Sequence, residues 1–488
     1  MGDILELEIQ DLNHAGEGVG RHGGNGRVVF VPYAAPGDVV RARIIADKGG
    51  YMETELLSVV KESGSRVPPP CPVYLQCGGC QLQHISYEAQ LEYKTRRVRQ
   101  ALERIGKIKD ARVKVKECLP APQQFHYRNK ARYSYESRPH MGFFSGFYAR
   151  RTRNVVDFNE CIIQNHINNK IFQALNDLAR EFDLPAYDPG SYAQHPTVQG
   201  IQGVQGVQGM RGALRHLVAR TSGDGREALA VLVTYGGALP GIDALARGLM
   251  ERVPELVGVV EDVGGRVFAT STNRRAPGPH LVAGRDWMTE HIQGLEFRVS
   301  AESFLQVNPA ATELLYSVIL SYADLTGEET VLDAYSGIGT ISLLLARRAR
   351  HVYGIEVVKA ATRNARENAS LNGLRNCTFF TGRVEDVLKD KNVFGSHAGK
   401  EPGRGDIVVV DPPRPGCDKG AIAGIVALAP RSIIYVSCNP ETLARDLARL
   451  AKADYQTVEV QPVDMFPQTA HVECCALLQK PKTVITIA

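Results

Sequence analysis

Val331-Leu332-Asp333-Ala334-Tyr335-Ser336-Gly337-Ile338-Gly339-Thr340 decides the fold of this chain. An apolar run ends in an acid, two glycines permit a tight turn, and residues 341–350 continue with helical spacing. The next run, residues 351–355, is largely apolar and ends at Glu356. Strand, glycine turn, helix and strand in that order predict a doubly wound parallel sheet. Two more apolar runs follow, residues 407–410 and 433–436. The first leads into Asp411-Pro412-Pro413-Arg414-Pro415-Gly416, the second into Ser437-Cys438-Asn439-Pro440. Ligands of open α/β sheets bind beyond the carboxyl ends of the strands, so a carboxylate and a thiol arrive where chemistry is done.

The chain has 488 residues, which predicts two or three domains. With 44% hydrophobic and 23% charged residues it reads as a soluble globular protein. No apolar run approaches the ~20 residues of a membrane helix, so no membrane partner is expected. The opening Met1-Gly2-Asp3-Ile4-Leu5-Glu6 lacks the basic-then-apolar layout of a signal peptide. A cytoplasmic location is the expectation. Ten cysteines in such a chain read as metal-binding or catalytic rather than as a disulfide framework.

The net charge of +4 hides an asymmetry. Residues 91–157 hold 17 Lys or Arg against 6 Asp or Glu, interleaved with Tyr93, Phe125, Tyr127, Tyr133, Tyr135, Phe143, Phe144, Phe147 and Tyr148. Basic groups neutralise phosphates and aromatic faces stack on unpaired bases, so this stretch points to nucleic acid. A solvated face over an aromatic core is the blander alternative.

Residues 1–62 read as short strands at Ile4–Leu12, 28–32, 38–45 and 53–60, with glycine turns or bulges between Gly16 and Gly26. They predict a small OB-like β-barrel. Val67-Pro68-Pro69-Pro70 reads as a stiff linker. Residues 71–300 form a mixed α+β central domain, with a helix over 87–105 and strands over 130–135 and 214–221. An apolar-Gln-Gly repeat through residues 198–209 reads as a surface insert. Residues 301–488 hold the α/β sheet.

Gly337 and Gly339 allow a nucleoside close to the backbone, and Glu356 stands where an acid can grip ribose hydroxyls. The third glycine of a dinucleotide fingerprint is missing from Thr340-Ile341-Ser342. S-adenosylmethionine, which has no pyrophosphate, is therefore the better cofactor. Cys438 is a candidate nucleophile because it follows an apolar run and precedes a forced turn.

Asp411–Gly416, Ser437–Pro440, His471-Val472-Glu473-Cys474 and Phe304-Leu305-Gln306-Val307-Asn308 together resemble the signature of RNA 5-methyluridine methyltransferases, over roughly the whole chain. Residues 1–62 resemble the TRAM domain, an RNA-binding barrel. The resemblance implies that Cys438 adds to uracil C6 and that Glu473 removes the C5 proton. It further implies that Phe304 stacks on the flipped base, and that Gln306, Tyr335, Glu356 and Asp411 bind S-adenosylmethionine. Cys71-x5-Cys77-Gly78-Gly79-Cys80 resembles the [4Fe-4S] site of many members, with Cys161 as fourth ligand. A zinc half-site is the alternative, weakened by the lack of a nearby second pair. Cys118 is closer in sequence, although sequence distance does not decide ligation.

The expected activity is thus methyl transfer from S-adenosylmethionine to C5 of a uridine in 23S ribosomal RNA. The same chemistry on a tRNA T-loop uridine is the alternative. The resemblance also implies a monomer. An amino-group methyltransferase fits less well, because Arg414 replaces the expected aromatic and Cys438 and Glu473 would be idle. A non-catalytic RNA-binding module is a third reading, which would tolerate loss of Cys438.

Overall fold

A computed structural model of the chain describes residues 2–24, 26–108, 113–138, 142–187, 212–264, 278–389 and 406–481. The repeat at residues 198–209 lies outside them. The chain divides into two units: Met1–Tyr74, Cys80–Pro122 and Ala310–Ala488 form the first, Leu75–Gly79 and Gln123–Pro309 the second.

In the first unit, β1 (Ile4–Leu12) alternates along its length, turning Leu5, Leu7 and Ile9 inward. With β2 (Gly18–His22), β3 (Arg27–Val31), β4 (Val39–Asp47) and β5 (Tyr51–Lys61) it closes a barrel in the order β1-β2-β3-β5-β4. Val29, Val31, Val40, Ala42 and Met52 fill the interior. The structure adds β2, where the sequence predicts only glycine turns. Its glycines answer a packing need. A Cβ on Gly20 would lie 2.3 Å from Leu7 Cδ1, and one on Gly18 would lie 2.9 Å from the Ala34 oxygen.

The helix Tyr87–Arg104 starts at Ser86, whose side chain accepts from the Ala89 N–H. The sequence allots it to the central domain, yet it belongs to the first unit. Its Val98, Ala101 and Leu102 enter the same core as Leu443, Leu447 and Leu450 of the helix Pro440–Ala451. The short β6 (Lys114–Val115) follows.

The second unit is built on a seven-stranded sheet. Its strands are β7 (Lys130–Arg138), β8 (Gly142–Tyr148), β9 (Val155–Asp157), β10 (Ala213–Thr221), β11 (Ala228–Tyr235), β12 (Leu256–Val263) and β13 (His280–Gly284). They run in the order β13-β12-β11-β10-β7-β8-β9, and only β11 and β12 pair in parallel. The helices His166–Glu181 and Ile242–Arg252 cover it through Phe172, Leu175, Leu245 and Leu249. A hairpin of β14 (Trp287–Ile292) and β15 (Leu295–Ser300) stands apart from that sheet.

Four of the nine rings in the basic–aromatic stretch are buried, and for those four the base-stacking expectation is corrected. Tyr133 is buried between the rings of Phe172, 4.0 Å away, and Phe147, 5.1 Å away. Tyr127 and Tyr135 are buried too, and in the first unit so is Tyr93. Aromatic rings gain most by leaving water, and these have done so within the protein. The basic residues are not all solvated either: Lys94 is fully buried against Asp464.

The second sheet of the first unit contains β16 (Thr330–Asp333), β17 (His351–Glu356), β18 (Cys377–Thr381), β19 (Ile407–Val410), β20 (Ser432–Ser437), β21 (Gln456–Val463) and β22 (Glu473–Gln479). Its order is β18-β17-β16-β19-β20-β22-β21-β6. The first five strands are parallel, and β16, β19 and β20 are buried along their whole length, as strands covered on both faces must be. The sheet departs from the expected parallel pattern at β22, which pairs antiparallel with β20 and with β21. That reversal shapes the site.

Candidate active site

Parallel strands bring their carboxyl ends to one edge. Asp333 ends β16, Glu356 ends β17, Asp411 follows β19 and Cys438 follows β20. An antiparallel neighbour brings its first residues to that same edge. Ser437 pairs with Cys474, so Glu473 enters beside Cys438.

The glycine loop is tied to its acid. Glu356 Oε2 accepts the Gly337 N–H at 3.1 Å, and Oε1 accepts the Val358 N–H at 2.7 Å. Each oxygen keeps a second lone pair, enough for two ribose hydroxyls. Gly337 (φ 54°) would direct a Cβ into open space, and Gly339 (φ 89°) caps the helix Thr340–Ala346. Two buried polar atoms here have no hydrogen-bond partner: Asp333 Oδ1 and Ser336 Oγ. Orphaned polar atoms beside an open glycine turn fit a polar nucleoside ligand. Tyr335 lies beside Cys417, and burial, helped by that thiol, holds the Tyr335 hydroxyl well above its usual range. The Cys417 N–H in turn donates to Asp446 at 2.9 Å, and the Tyr435 hydroxyl donates to the same carboxylate at 2.8 Å. Sequence patterns do not single out Cys417 or Asp446, because the path from Tyr335 through Cys417 to Asp446 crosses three separate segments.

Cys438 lies in a turn closed on both sides. Ser437 Oγ accepts the Asn439 N–H at 3.1 Å, and Asn439 Oδ1 caps the helix Pro440–Ala451 by accepting from Glu441 and Thr442. The predicted turn at Asn439-Pro440 is therefore a helix start, with Pro at its first position. Thr442 Oγ1 and Asn439 Nδ2 both donate to the Arg414 carbonyl, at 3.1 and 3.5 Å, joining the two sequence motifs.

Burial dominates the electrostatics. It pushes the Cys438 thiol up to about 11, with help from Glu473 and Asp411, while Arg414 pulls it down. Asp411 is pushed up to about 7 by burial and by Asp333, which burial itself raises to about 6. Glu473 is held well above the carboxylate range, by burial first and then by Asp411, again opposed by Arg414. Arg414 thus favours the ionised form of both reactive groups. The sequence noted it only as a missing aromatic.

Phe304 and Gln306 belong to the second unit. Phe304 is 67% exposed, unusual for a large apolar ring, whereas neighbouring Leu305 and Gln306 are buried. Arg220, fully enclosed, donates to the Ser303 carbonyl at 2.6 Å and the Ser300 carbonyl at 3.4 Å. It anchors the turn that presents Phe304, a role that sequence patterns gave no sign of. Cys71 and Cys80 lie in the first unit, Cys77 and Cys161 in the second; all four are partly exposed and, among the described residues, none forms a disulfide. Among the described residues the compact group with metal-ligand geometry is His126, Glu160 and His166, which contains no cysteine.

A glycine loop tied to a strand-end acid, with a thiol and a carboxyl at the same edge, defines an S-adenosylmethionine-dependent methyltransferase. Residues 261–481 match the family described as tRNA (uracil-5-)-methyltransferase, and residues 1–57 match the TRAM domain. An uncharacterized RNA methyltransferase of Halalkalibacterium halodurans is 40% identical over 481 residues, covering 98% of this chain and 97% of that one. Another, of Caldanaerobacter subterraneus, is 39% identical over 480 residues, covering 98% and 99%. The crystal structure of Pyrococcus abyssi tRNA (uracil-54, C5)-methyltransferase in complex with S-adenosyl-L-homocysteine superposes with a TM-score of 0.70 at 25% identity, over 97% of this chain and 100% of that one. The chain belongs to the RNA (uracil-5-)-methyltransferase family, and its activity is S-adenosylmethionine-dependent methylation of uracil C5 in RNA.

Proposed function

We propose that the enzyme methylates C5 of a uridine in 23S ribosomal RNA through a covalent Cys438–C6 adduct. The observation that carries this reading is the β20–β22 register, which sets Glu473 beside Cys438. Uracil C5 is too poor a nucleophile to take a methyl group unaided. Addition of the Cys438 thiolate to C6 makes C5 enolate-like. S-adenosylmethionine, when bound through Gln306, Tyr335, Glu356 and Asp411, supplies the electrophilic methyl group. Glu473 then takes the C5 proton, and Cys438 leaves as thiolate, restoring the 5,6 double bond. Phe304 stacks on the flipped base from its exposed position.

The four thiols Cys71, Cys77, Cys80 and Cys161 hold a [4Fe-4S] cluster in this reading. Their chemistry fits: among the described residues none is tied up in a disulfide, and the Gly79 N–H donates to Cys77 Sγ at 3.4 Å. Such a cluster organises the RNA-binding region and supplies no electron to the methyl transfer. The barrel and the four cysteines favour ribosomal RNA, acted on by a cytoplasmic monomer. A tRNA T-loop uridine is the second reading, supported by the family description and by the archaeal neighbour.

Incubation with 5-fluorouridine RNA and S-adenosylmethionine tests the chemistry, because fluorine cannot leave as a proton does. A denaturation-resistant complex is expected from the wild type and none from Cys438→Ala; a complex with Cys438→Ala would sink the mechanism. Mapping 5-methyluridines in RNA from a deletion strain separates the two substrates.

A further inference from the structure

We propose that His126, Glu160 and His166 form a binding site for one divalent transition-metal ion of the zinc class, separate from the active site and from the four cysteines. One ligand atom from each of the three lies within 4.8 Å of the other two. Backbone pairing builds the arrangement. His126 and Arg128 donate to the Ile162 and Ile163 carbonyls at 2.9 Å, and the Asn165 N–H returns to Arg128. This ladder lays the segment around His126 against the one that begins the helix His166–Glu181.

His126 holds a left-handed backbone (φ 54°), which a side chain of its size rarely adopts. Its ring lies 4.0 Å from that of His166, nearly parallel at 22°. A cation bound by both must lie in the plane of each ring, where the nitrogen lone pairs point. His126 Nδ1 is 3.2 Å from the Gln164 carbonyl, which can only accept, so the hydrogen sits on Nδ1 and Nε2 carries the free lone pair. An imidazole N–H fixed by a backbone carbonyl is the usual support of a metal ligand. Glu160 has its own support in the Asn169 side-chain amide, 3.5 Å from Oε1.

Two imidazoles and one carboxylate suit zinc, nickel or copper, with water completing the shell. His126 and His166 line a cavity of about 390 Å³ together with Phe125, Asn165 and Asp224, which leaves room for that water. Closing the ligands to the ~3 Å spacing around zinc requires the two stacked rings to turn apart. A bound ion would fasten the segment around His126 to the one that contains Cys161.

Cobalt(II) titration of the full-length enzyme, purified with its native metal content, tests the proposal. The expected result is one equivalent bound with nitrogen and oxygen ligands only. This is read as d–d absorption without thiolate charge transfer, supported by X-ray absorption and competed by zinc. His126→Asn, which still tolerates the left-handed backbone, and His166→Asn should each weaken binding by about tenfold or more. Both should keep forming the adduct with 5-fluorouridine RNA, which shows that they fold. No cobalt uptake, uptake with thiolate bands, or uptake unchanged in both variants overturns the proposal.

Discussion

Cys438 is a weak nucleophile as the free protein holds it. With its thiol pushed up to about 11, only about one molecule in ten thousand carries the thiolate at pH 7. The sign is that of a raised group: the protonated form is favoured, and the thiolate grows about tenfold per pH unit until pH reaches about 11. Adduct formation on 5-fluorouridine RNA should therefore accelerate with pH. Arg414→Ala should shift that rise to more alkaline pH and slow the neutral reaction, with Arg414→Lys largely normal. Single-turnover rates against pH check this; an unmoved profile removes Arg414 from the chemistry. Glu473→Gln separates the two half-reactions. It removes the base while keeping the size of the side chain, so addition persists while release stops. A covalent complex should then build up on ordinary uridine RNA, visible on a denaturing gel. Sustained turnover by Glu473→Gln would assign proton removal elsewhere.

A helix far away in sequence prepares that base. The segment leading into β22 is held by Tyr87–Arg104. Lys94 Nζ lies 2.5 Å from Asp464 Oδ1, both side chains fully buried. The Gln90 and Gln468 side chains bond at 3.0 Å, and Arg97 donates to the Ala470 carbonyl at 2.7 Å while pairing with Glu441. Lys94→Ala leaves a buried carboxylate unpaired and should destabilise the fold by about 3–5 kcal/mol. Replacing both partners, Lys94→Met with Asp464→Leu, should restore most of that loss. Urea unfolding measures both; a single variant within 0.5 kcal/mol of wild type (roughly the scatter of surface substitutions) would show the pair to be idle. This element also shows the limit of the sequence. The spacing of residues 87–105 predicts the helix, but Lys94 and Asp464 are 370 positions apart, and nothing local marks either as buried. Conversely, β16, β19 and β20 were legible because a strand covered on both faces must be apolar throughout. The reversed β22 was not, since an antiparallel strand buried inside the sheet leaves the same apolar run as a parallel one, and with it went the reason Glu473 meets Cys438.

The barrel and the methyltransferase sheet of the first unit are joined through a small apolar contact. Leu12 and Ala35 of the barrel region pack with Leu82, Ile85, Tyr93 and Ala470. The Tyr93 hydroxyl donates to the Asn13 carbonyl at 2.8 Å, and Arg96 pairs with Asp11 at 2.9 Å. Tyr93, read from the sequence as a base-stacking ring, instead serves this contact, because aromatic pattern cannot tell an RNA face from a face that meets the chain's own elements. Gly16 sits at the closest approach. Its φ of 74° suits glycine, and a Cβ there would lie 3.1 Å from Leu82 Cδ2 and 3.2 Å from Ala470 Cβ. Gly16→Val combines an unfavourable backbone with overpacking, each of order 1–3 kcal/mol. The strain falls on the contact rather than on the barrel interior or the glycine loop. Limited proteolysis of Gly16→Val should therefore cut the Pro-rich linker at residues 67–70 faster than in the wild type. S-adenosylmethionine binding, followed by equilibrium dialysis, should stay within about twofold, since a contact distant from the ligand adds little coupling. Unchanged cleavage would mean that the barrel is held by the polar contacts alone. Faster cleavage with lost cofactor binding would mean that the contact supports the whole sheet.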